Sequence, residues 1–139
     1  MIVLENIWGD RIDEVWPLLE PCFEKAVEAV HTEWTTSAIL TDAHDRKLLL
    51  WAIYRRESPV PILAAAASSI RETKVGKTAV IEHIGGTDMQ AWLRPALEKF
   101  ERLAREHGCT RLELEGRMGW LRVLPGFTAQ RIVLGKTLT

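Results

Sequence analysis

The first apolar pattern along the chain, over residues 10–30, has the three- and four-residue spacing of an amphipathic helix, with Asp10 placed to cap it. Pro17 and Pro21 interrupt this pattern, and an interior proline costs about 3 kcal/mol because it removes a backbone donor. We therefore expect a short first turn, a kink and then a better helix to the end of the segment. Residues 35–43 predict a second, short helix opened by a threonine cap.

Three strand patterns follow, at residues 48–54, 61–71 and 78–84. The first is a continuous apolar run, as in a strand that is buried on both faces. A turn with two prolines (58–61) and a glycine hairpin (75–77) join the three strands, and such short connections predict antiparallel pairs. The third strand ends at Gly85-Gly86.

The clearest helical pattern is an apolar stripe over residues 89–104, with Thr87 or Asp88 as its cap and His107-Gly108 as its end. A strand at 111–115, a loop or single turn at 116–125 and a final strand or hairpin at 127–138 complete the pattern. Because a helix separates the third and fourth strands, these two can run parallel. The order predicts one α/β domain over residues 1–139 with a mixed sheet.

Composition narrows the class of protein. The chain has 139 residues, 47% of them hydrophobic and 27% charged, which excludes disorder and a coiled coil. Its net charge of -1 predicts no attraction to nucleic acid or to an acidic membrane surface. No apolar run reaches the roughly 18 residues of a membrane span, and no signal-peptide pattern begins the chain. With Cys22 and Cys109 as isolated thiols, we expect a cytoplasmic protein with reduced core cysteines.

The sequence contains no motif for a metal site or for a catalytic nucleophile. The four histidines and two cysteines show no ligand spacing, so we predict no metal site. No serine or cysteine lies in a nucleophile motif, and the chain has neither a P-loop nor a zinc motif.

The region from residue 78 to residue 138 resembles the core of the GCN5-related N-acetyltransferase (GNAT) superfamily. The matching features are a strand that ends in a glycine turn, a long helix, the strand entry Gly108-Cys109-Thr110, and Pro125-Gly126-Phe127 before the last hairpin. More narrowly, Trp92, Gly108-Cys109 and residues 116–120 (GRMGW) resemble the degenerate GNAT-like proteins of tailed phages and prophages.

This resemblance implies a GNAT-like (acyl-CoA N-acyltransferase) fold, with a mixed, mostly antiparallel sheet and helices on both faces. It also implies acetyl transfer from acetyl-CoA to an amine, with the pyrophosphate at the start of the long helix and the pantetheine arm in a splay between two strands. Glu82 or His83 takes the position of the general base. The implied cofactor-binding residues are Ile84, Gly85, Gly86, Thr87, Asp88 and Met89.

Departures from the family pattern leave two functions open. The phosphate loop has no basic residue, Asp88 adds a negative charge there, and the position of the usual tyrosine falls on Arg122. One function is an acetyl-CoA-dependent N-acyltransferase acting on a small amine, a protein N-terminus or a lysine. The other is a non-catalytic phage or prophage protein, virion-associated, that binds a phage structural or assembly protein.

Each candidate residue also has a structural interpretation. Gly85-Gly86 is either a phosphate cradle or a strand-to-helix turn that needs positive φ, and Asp88 is either a site residue or a helix cap. Glu82 and His83 are adjacent, so they point to opposite faces of a strand, and only one can reach the cleft. Glu82 is otherwise a solvated or salt-bridged residue, and His83 a half-buried, hydrogen-bonded ring.

Two tryptophans and two arginines complete the candidates. Trp92 and Trp120 either belong to the core or line a pocket near the glycines. Arg117 and Arg122 flank Trp120. Such a cluster could bind an anion, a partner or the phosphates of the cofactor, and exposed surface arginines are the alternative.

Overall fold

The computed structural model describes residues 1–30, 34–116, 120, 122–124, 126–130 and 134–138. Its elements are β1 (Ile2–Ile7), α1 (Arg11–Val30), α2 (Thr36–His44), β2 (Leu49–Arg55), β3 (Ala64–Thr73), β4 (Gly76–Gly86), α3 (Met89–Glu106) and β5 (Cys109–Leu114). The strands form one sheet in the order β1-β2-β3-β4-β5. The first four strands pair antiparallel and β4 pairs parallel with β5, so the predicted mixed α/β sheet is confirmed.

The sheet is covered on both faces, which gives the molecule two apolar layers. Residues of α3 pack with Ile53, Ile81 and Ile84 on one face, while residues of α1 and α2 pack with Leu50 and Ala52 on the other. The alanine run at 64–67 is fully buried and alternates between the two layers. Its small side chains let helices approach the centre of the sheet closely from both sides.

Helix α1 runs unbroken through both prolines, so the predicted separate first turn is wrong. Pro17 and Pro21 both lie on the exposed side of the helix, where water can satisfy the carbonyl groups that lose their intrahelical partners. On the buried side, Trp16 and Phe23 stack with ring centroids 5.6 Å apart. The burial of this apolar stripe holds the helix together across the two missing donors.

Helix α2 begins as predicted. Thr35 is its N-cap in an extended conformation, and its hydroxyl accepts a hydrogen bond of 3.1 Å from the backbone N–H of Ala38.

Both cysteines are free and buried, as expected for core thiols.

Strand β1 was not predicted. Its sequence, IVLENI, lacks the clean alternation that marks a strand with one buried face. Pairing along its whole length with β2, from Ile2 opposite Arg55 to Ile7 opposite Leu50, makes it the edge of the sheet. The segment is therefore a strand because of its long-range partner.

The predicted strand or hairpin at 127–138 is absent from the described part of that segment. Residues 127–130 and 134–138 belong to no strand or helix, and the remainder lies outside the described residues. Leu134 and Leu138 are about nine-tenths exposed, so neither contributes to the core.

Candidate active site

Strands β4 and β5 separate at one end, and the opening between them defines the site. Their parallel register runs from Lys77 to Ile81, and the N–H of Glu115 donates to the carbonyl of Ile81 at 3.0 Å. Residues 82–86 of β4 continue beside β3 and have no partner on β5 within the described chain. A gap therefore opens in the sheet where the resemblance implied a splay.

A cavity of about 190 Å³ occupies this gap. Lys25 and Ala26 of α1 line it from one face of the sheet, and Met89 and Trp92 of α3 line it from the other. Residues 82–86, Glu115 and Trp120 complete its wall. The cavity thus joins the two faces of the sheet. Trp92 and Trp120 line it and also pack in the apolar layer beside α3, so both predicted roles hold.

A β-bulge at Glu82 changes the direction of the side chains in β4. Ser68 lies opposite Ile81 and Ala67 lies opposite His83, so Glu82 has no residue opposite it. The prediction that only one of Glu82 and His83 reaches the cleft is wrong, because the inserted residue lets both line the cavity.

The Glu82 carboxylate is held in a defined position. Its side chain is half-buried, and Oε2 accepts a hydrogen bond of 2.6 Å from Ser69 Oγ on the neighbouring strand. It therefore differs from the solvated or salt-bridged residue of the alternative interpretation. A carboxylate fixed on a cavity wall is suited to accept a proton or to bind a cation.

His83 is 5% exposed, and its Nε2 has no hydrogen-bond partner within the described residues. The ring packs edge-on against Trp34, with centroids 4.8 Å apart. The predicted half-buried, hydrogen-bonded ring is therefore wrong. Burial lowers the pKa of the His83 imidazole, while the negative charges of Glu82 and Asp42 partly oppose that shift. The ring is consequently neutral at neutral pH, and its Nε2 is enclosed by the surrounding protein.

The lowered pKa of His83 predicts how stability depends on pH. The unfolded chain protonates this ring near pH 6.5, whereas the folded chain resists protonation until a lower pH. Stability is thus fully present above about pH 6.5 and falls as the pH drops toward the folded pKa. Urea unfolding at about pH 7.5 and 5.5 should show a smaller loss for His83→Asn than for the wild type. An equal loss in both would contradict this assignment, and His107→Asn, at an exposed histidine, is the control.

The glycine pair lies inside β4, opposite Ala65 and Ala64, and neither residue has positive φ. The predicted strand-to-helix turn is therefore wrong. A Cβ at Gly85 would lie 2.7 Å from the carbonyl oxygen of Cys22 in α1, and one at Gly86 would lie 2.2 Å from that of Leu63. These positions require glycine because neighbouring backbone approaches them closely.

Neither predicted cap closes the start of α3 with its side chain. Asp88 occupies the N-cap position in a left-handed conformation (φ 55°), and its side chain makes no capping hydrogen bond. Its carboxylate instead accepts a bond of 3.0 Å from Arg55 Nη2. The carbonyl of Thr87 accepts from Trp92 Nε1 at 2.7 Å, and the N–H of Thr87 donates to the carbonyl of Leu63 at 2.8 Å.

The other predicted residues have separate places. The side chain of Ile84 is buried in the layer beside α3, while Met89 begins α3 and lines the cavity. Arg122 is exposed, and Arg117 lies outside the described residues. Tyr54 donates to Glu5 at 2.6 Å and is not on the cavity wall.

Sequence reasoning missed four residues that form or support the site: Ser69, Lys25, Ala26 and Glu115. No local pattern identifies the first three, because each reaches the site through tertiary packing. Glu115 is the last residue of the predicted strand 111–115, and this place at the end of a strand was the available clue.

The described residues contain neither a metal-binding cluster nor a helix that could span a membrane. No group of three or more histidine, cysteine, aspartate or glutamate side chains there could hold a metal ion. No helix in that part of the chain is both long and apolar enough to cross a bilayer.

Comparison of the whole structure with solved structures finds acetyltransferases. An aminoglycoside acetyltransferase from an uncultured soil metagenomic sample, solved with sisomicin, matches with a TM-score of 0.70 and 11% identity over 99% of this chain and 97% of that one. Aminoglycoside N-acetyltransferase AAC(6')-Iy, solved with CoA, matches with a TM-score of 0.66 and 11% identity over 99% and 95%.

Glucosamine-6-phosphate N-acetyltransferase from Arabidopsis thaliana matches with a TM-score of 0.64 and 13% identity, over 100% of this chain and 99% of that one. No family model and no curated protein sequence matches the chain. At these low identities the likeness concerns the fold. The chain has the GNAT fold, as its sequence predicted.

Proposed function

We propose that this protein is an acetyl-CoA-dependent N-acyltransferase that acetylates a small primary amine. The observation that carries the proposal is the opening between β4 and β5, which passes through the sheet and has the Glu82 carboxylate on its wall. An amine on one face can there meet an acyl group that enters from the other. The structural neighbours support the proposal, since two are named for acetyl transfer to aminoglycosides and one for transfer to glucosamine 6-phosphate.

The residues around the opening fit acetyl-CoA. The first N–H groups of α3, at Met89 and Gln90, have no intrahelical partner, and the helix dipole favours an anion such as a pyrophosphate there. The cavity of about 190 Å³ is narrow and suits the pantetheine arm better than the nucleotide. When bound, the cofactor supplies a thioester whose carbonyl carbon an amine can attack.

Glu82 is the proposed proton acceptor. Amine attack would form the N–C bond to the acetyl carbon and break the C–S bond, so that CoA leaves as its thiolate. Glu82 Oε1 is available to take the proton that the nitrogen loses, directly or through water. His83 lines the same cavity as an uncharged ring, and its enclosed Nε2 leaves the proton-accepting role to Glu82. No tyrosine assists, because the only one in the chain bonds Glu5.

The amine that receives the acetyl group is proposed as a chemical class. A compact amine suits the size of the cavity, and a protein N-terminus or lysine side chain presents the same chemical group. We place the protein in the cytoplasm, where free buried thiols such as Cys22 and Cys109 stay reduced.

Calorimetric titration with acetyl-CoA, followed by assay of CoA release with glucosamine 6-phosphate, an aminoglycoside and lysine, tests the function. We expect binding in the micromolar range and thiol release that depends on the acceptor. Absence of binding at millimolar acetyl-CoA by the folded protein would overturn the proposal. The alternative, a phage or prophage interaction module, would then be pursued by testing phage structural proteins as partners.

The ion pair of Arg55 and Asp88 lies at the start of α3, and each of its charges should change the affinity for acetyl-CoA in an opposite direction. Asp88→Asn removes a negative charge beside the proposed pyrophosphate, and asparagine tolerates the left-handed backbone. Arg55→Gln removes the cation that offsets that charge. We expect the first variant to bind acetyl-CoA about two- to fivefold more tightly and the second to bind it more weakly by a similar factor.

The control for this pair is Arg71→Gln, because that arginine pairs with Glu113 on a different part of the sheet. Calorimetry at low salt is the appropriate measurement, since these exposed charges are screened by ions. Equal affinities for all three variants would place the pyrophosphate away from the start of α3.

A further inference from the structure

The geometry points to Ser69 as the residue that positions Glu82 for proton transfer; this inference rests on the proposed function. Ser69 lies on β3 and donates through Oγ to Glu82 Oε2 at 2.6 Å. Of the described residues, it is the one with a side-chain hydrogen bond to Glu82. The bond ties the proposed base to a strand that does not itself line the cavity.

The bulge explains why such a tether matters. Glu82 is the residue of β4 that has no partner opposite it on β3, so the ladder itself fixes its side chain less than it fixes its neighbours. Ser69 lies opposite Val80, next to the pair of Ser68 and Ile81 that borders the bulge. From there its hydroxyl contacts Glu82, two residues further along β4. The bond occupies one carboxylate oxygen and leaves the other for the cavity.

The same strand provides a matched control. Ser68 points to the opposite face, where its Oγ accepts from Trp51 Nε1 at 2.8 Å. Ser68 and Ser69 are thus adjacent serines, each in one side-chain hydrogen bond across the sheet. One of these bonds holds the proposed base, and the other holds a core aromatic ring.

We expect Ser69→Ala to lower kcat by about tenfold and to leave the KM for acetyl-CoA unchanged, since misplacing a catalytic group by about 1 Å can cost up to 10²-fold. Ser69→Thr keeps the hydroxyl, suits a strand and should retain kcat within about twofold. Ser68→Ala should lower the melting temperature through Trp51 but leave kcat within about twofold.

The decisive measurement repeats Ser69→Ala in the Glu82→Gln background, with product quantified by mass spectrometry after long incubation. A residue that acts through Glu82 should cause no further loss there. An equal loss in both backgrounds, or unchanged kcat in Ser69→Ala alone, would overturn the inference and leave the proposed function intact. Failure of the proposed function is recognised separately, because the wild type would then release no CoA with any acceptor, and the inference would fall with it.

Discussion

Replacing Glu82 by glutamine should lower kcat by about 10²- to 10⁴-fold and leave the affinity for acetyl-CoA within about twofold. Glutamine has nearly the same shape as glutamate, so the bulge and the bond from Ser69 can persist, but the amide cannot accept the proton of the amine. Steady-state kinetics with the best acceptor and calorimetry with acetyl-CoA measure the two quantities separately.

Glu115 is the matched control for this experiment, because among the described residues it is the second one that places a carboxylate group on the cavity wall. Glu115→Gln should reduce kcat by less than tenfold, a smaller loss than the removal of a general base. If Glu115→Gln caused the larger loss, Glu82 would not be the proton acceptor. If neither variant changed kcat, proton transfer would involve neither Glu82 nor Glu115.

Gly86→Ala should destabilise the protein although it adds a single carbon atom. The added Cβ would lie 2.2 Å from the carbonyl oxygen of Leu63 and 2.6 Å from both Cα and Cβ of Ala64. Backbone atoms cannot swing away as a flexible side chain can, so β3 and β4 must move apart. We expect a loss of about 1–3 kcal/mol or more, seen as a fall of several degrees in melting temperature.

Gly135→Ala is the control, because a Cβ at that position meets no atom within 4 Å and the backbone has no positive φ. Its melting temperature should match that of the wild type within about a degree. An unchanged melting temperature for Gly86→Ala would show that β3 has room to retreat from β4.

The elements that sequence predicted correctly are those specified by local pattern. Helix α3 has a regular apolar stripe from Met89 to Ala104, and its buried face in the structure is that stripe. The β2–β3–β4 meander follows from short turns between apolar runs. Strand β1 escaped prediction because its pairing with β2 spans about fifty residues of chain and leaves no periodic pattern in its own sequence.

The site was predictable in its position and not in its geometry. The family pattern directed attention to Glu82, His83, Gly85 and Gly86, and all four line the cavity. The bulge brings both Glu82 and His83 to the cavity, and the alternation of apolar and polar residues along β4 does not reveal it. In the same way, the partner of Asp88 is an arginine 33 positions earlier in the chain, and only the fold brings the two together.

The bulge at Glu82 makes the site sensitive to the gain or loss of a single codon. Deletion of residue 82 would place Ile81 next to His83 and restore an uninterrupted ladder against Ser68 and Ala67. Every other side chain of β4 would keep its present face, so both apolar layers would survive. On the proposed function, the chain is thus one in-frame deletion away from a folded form that lacks its general base, and this loss would need no rebuilding of the core.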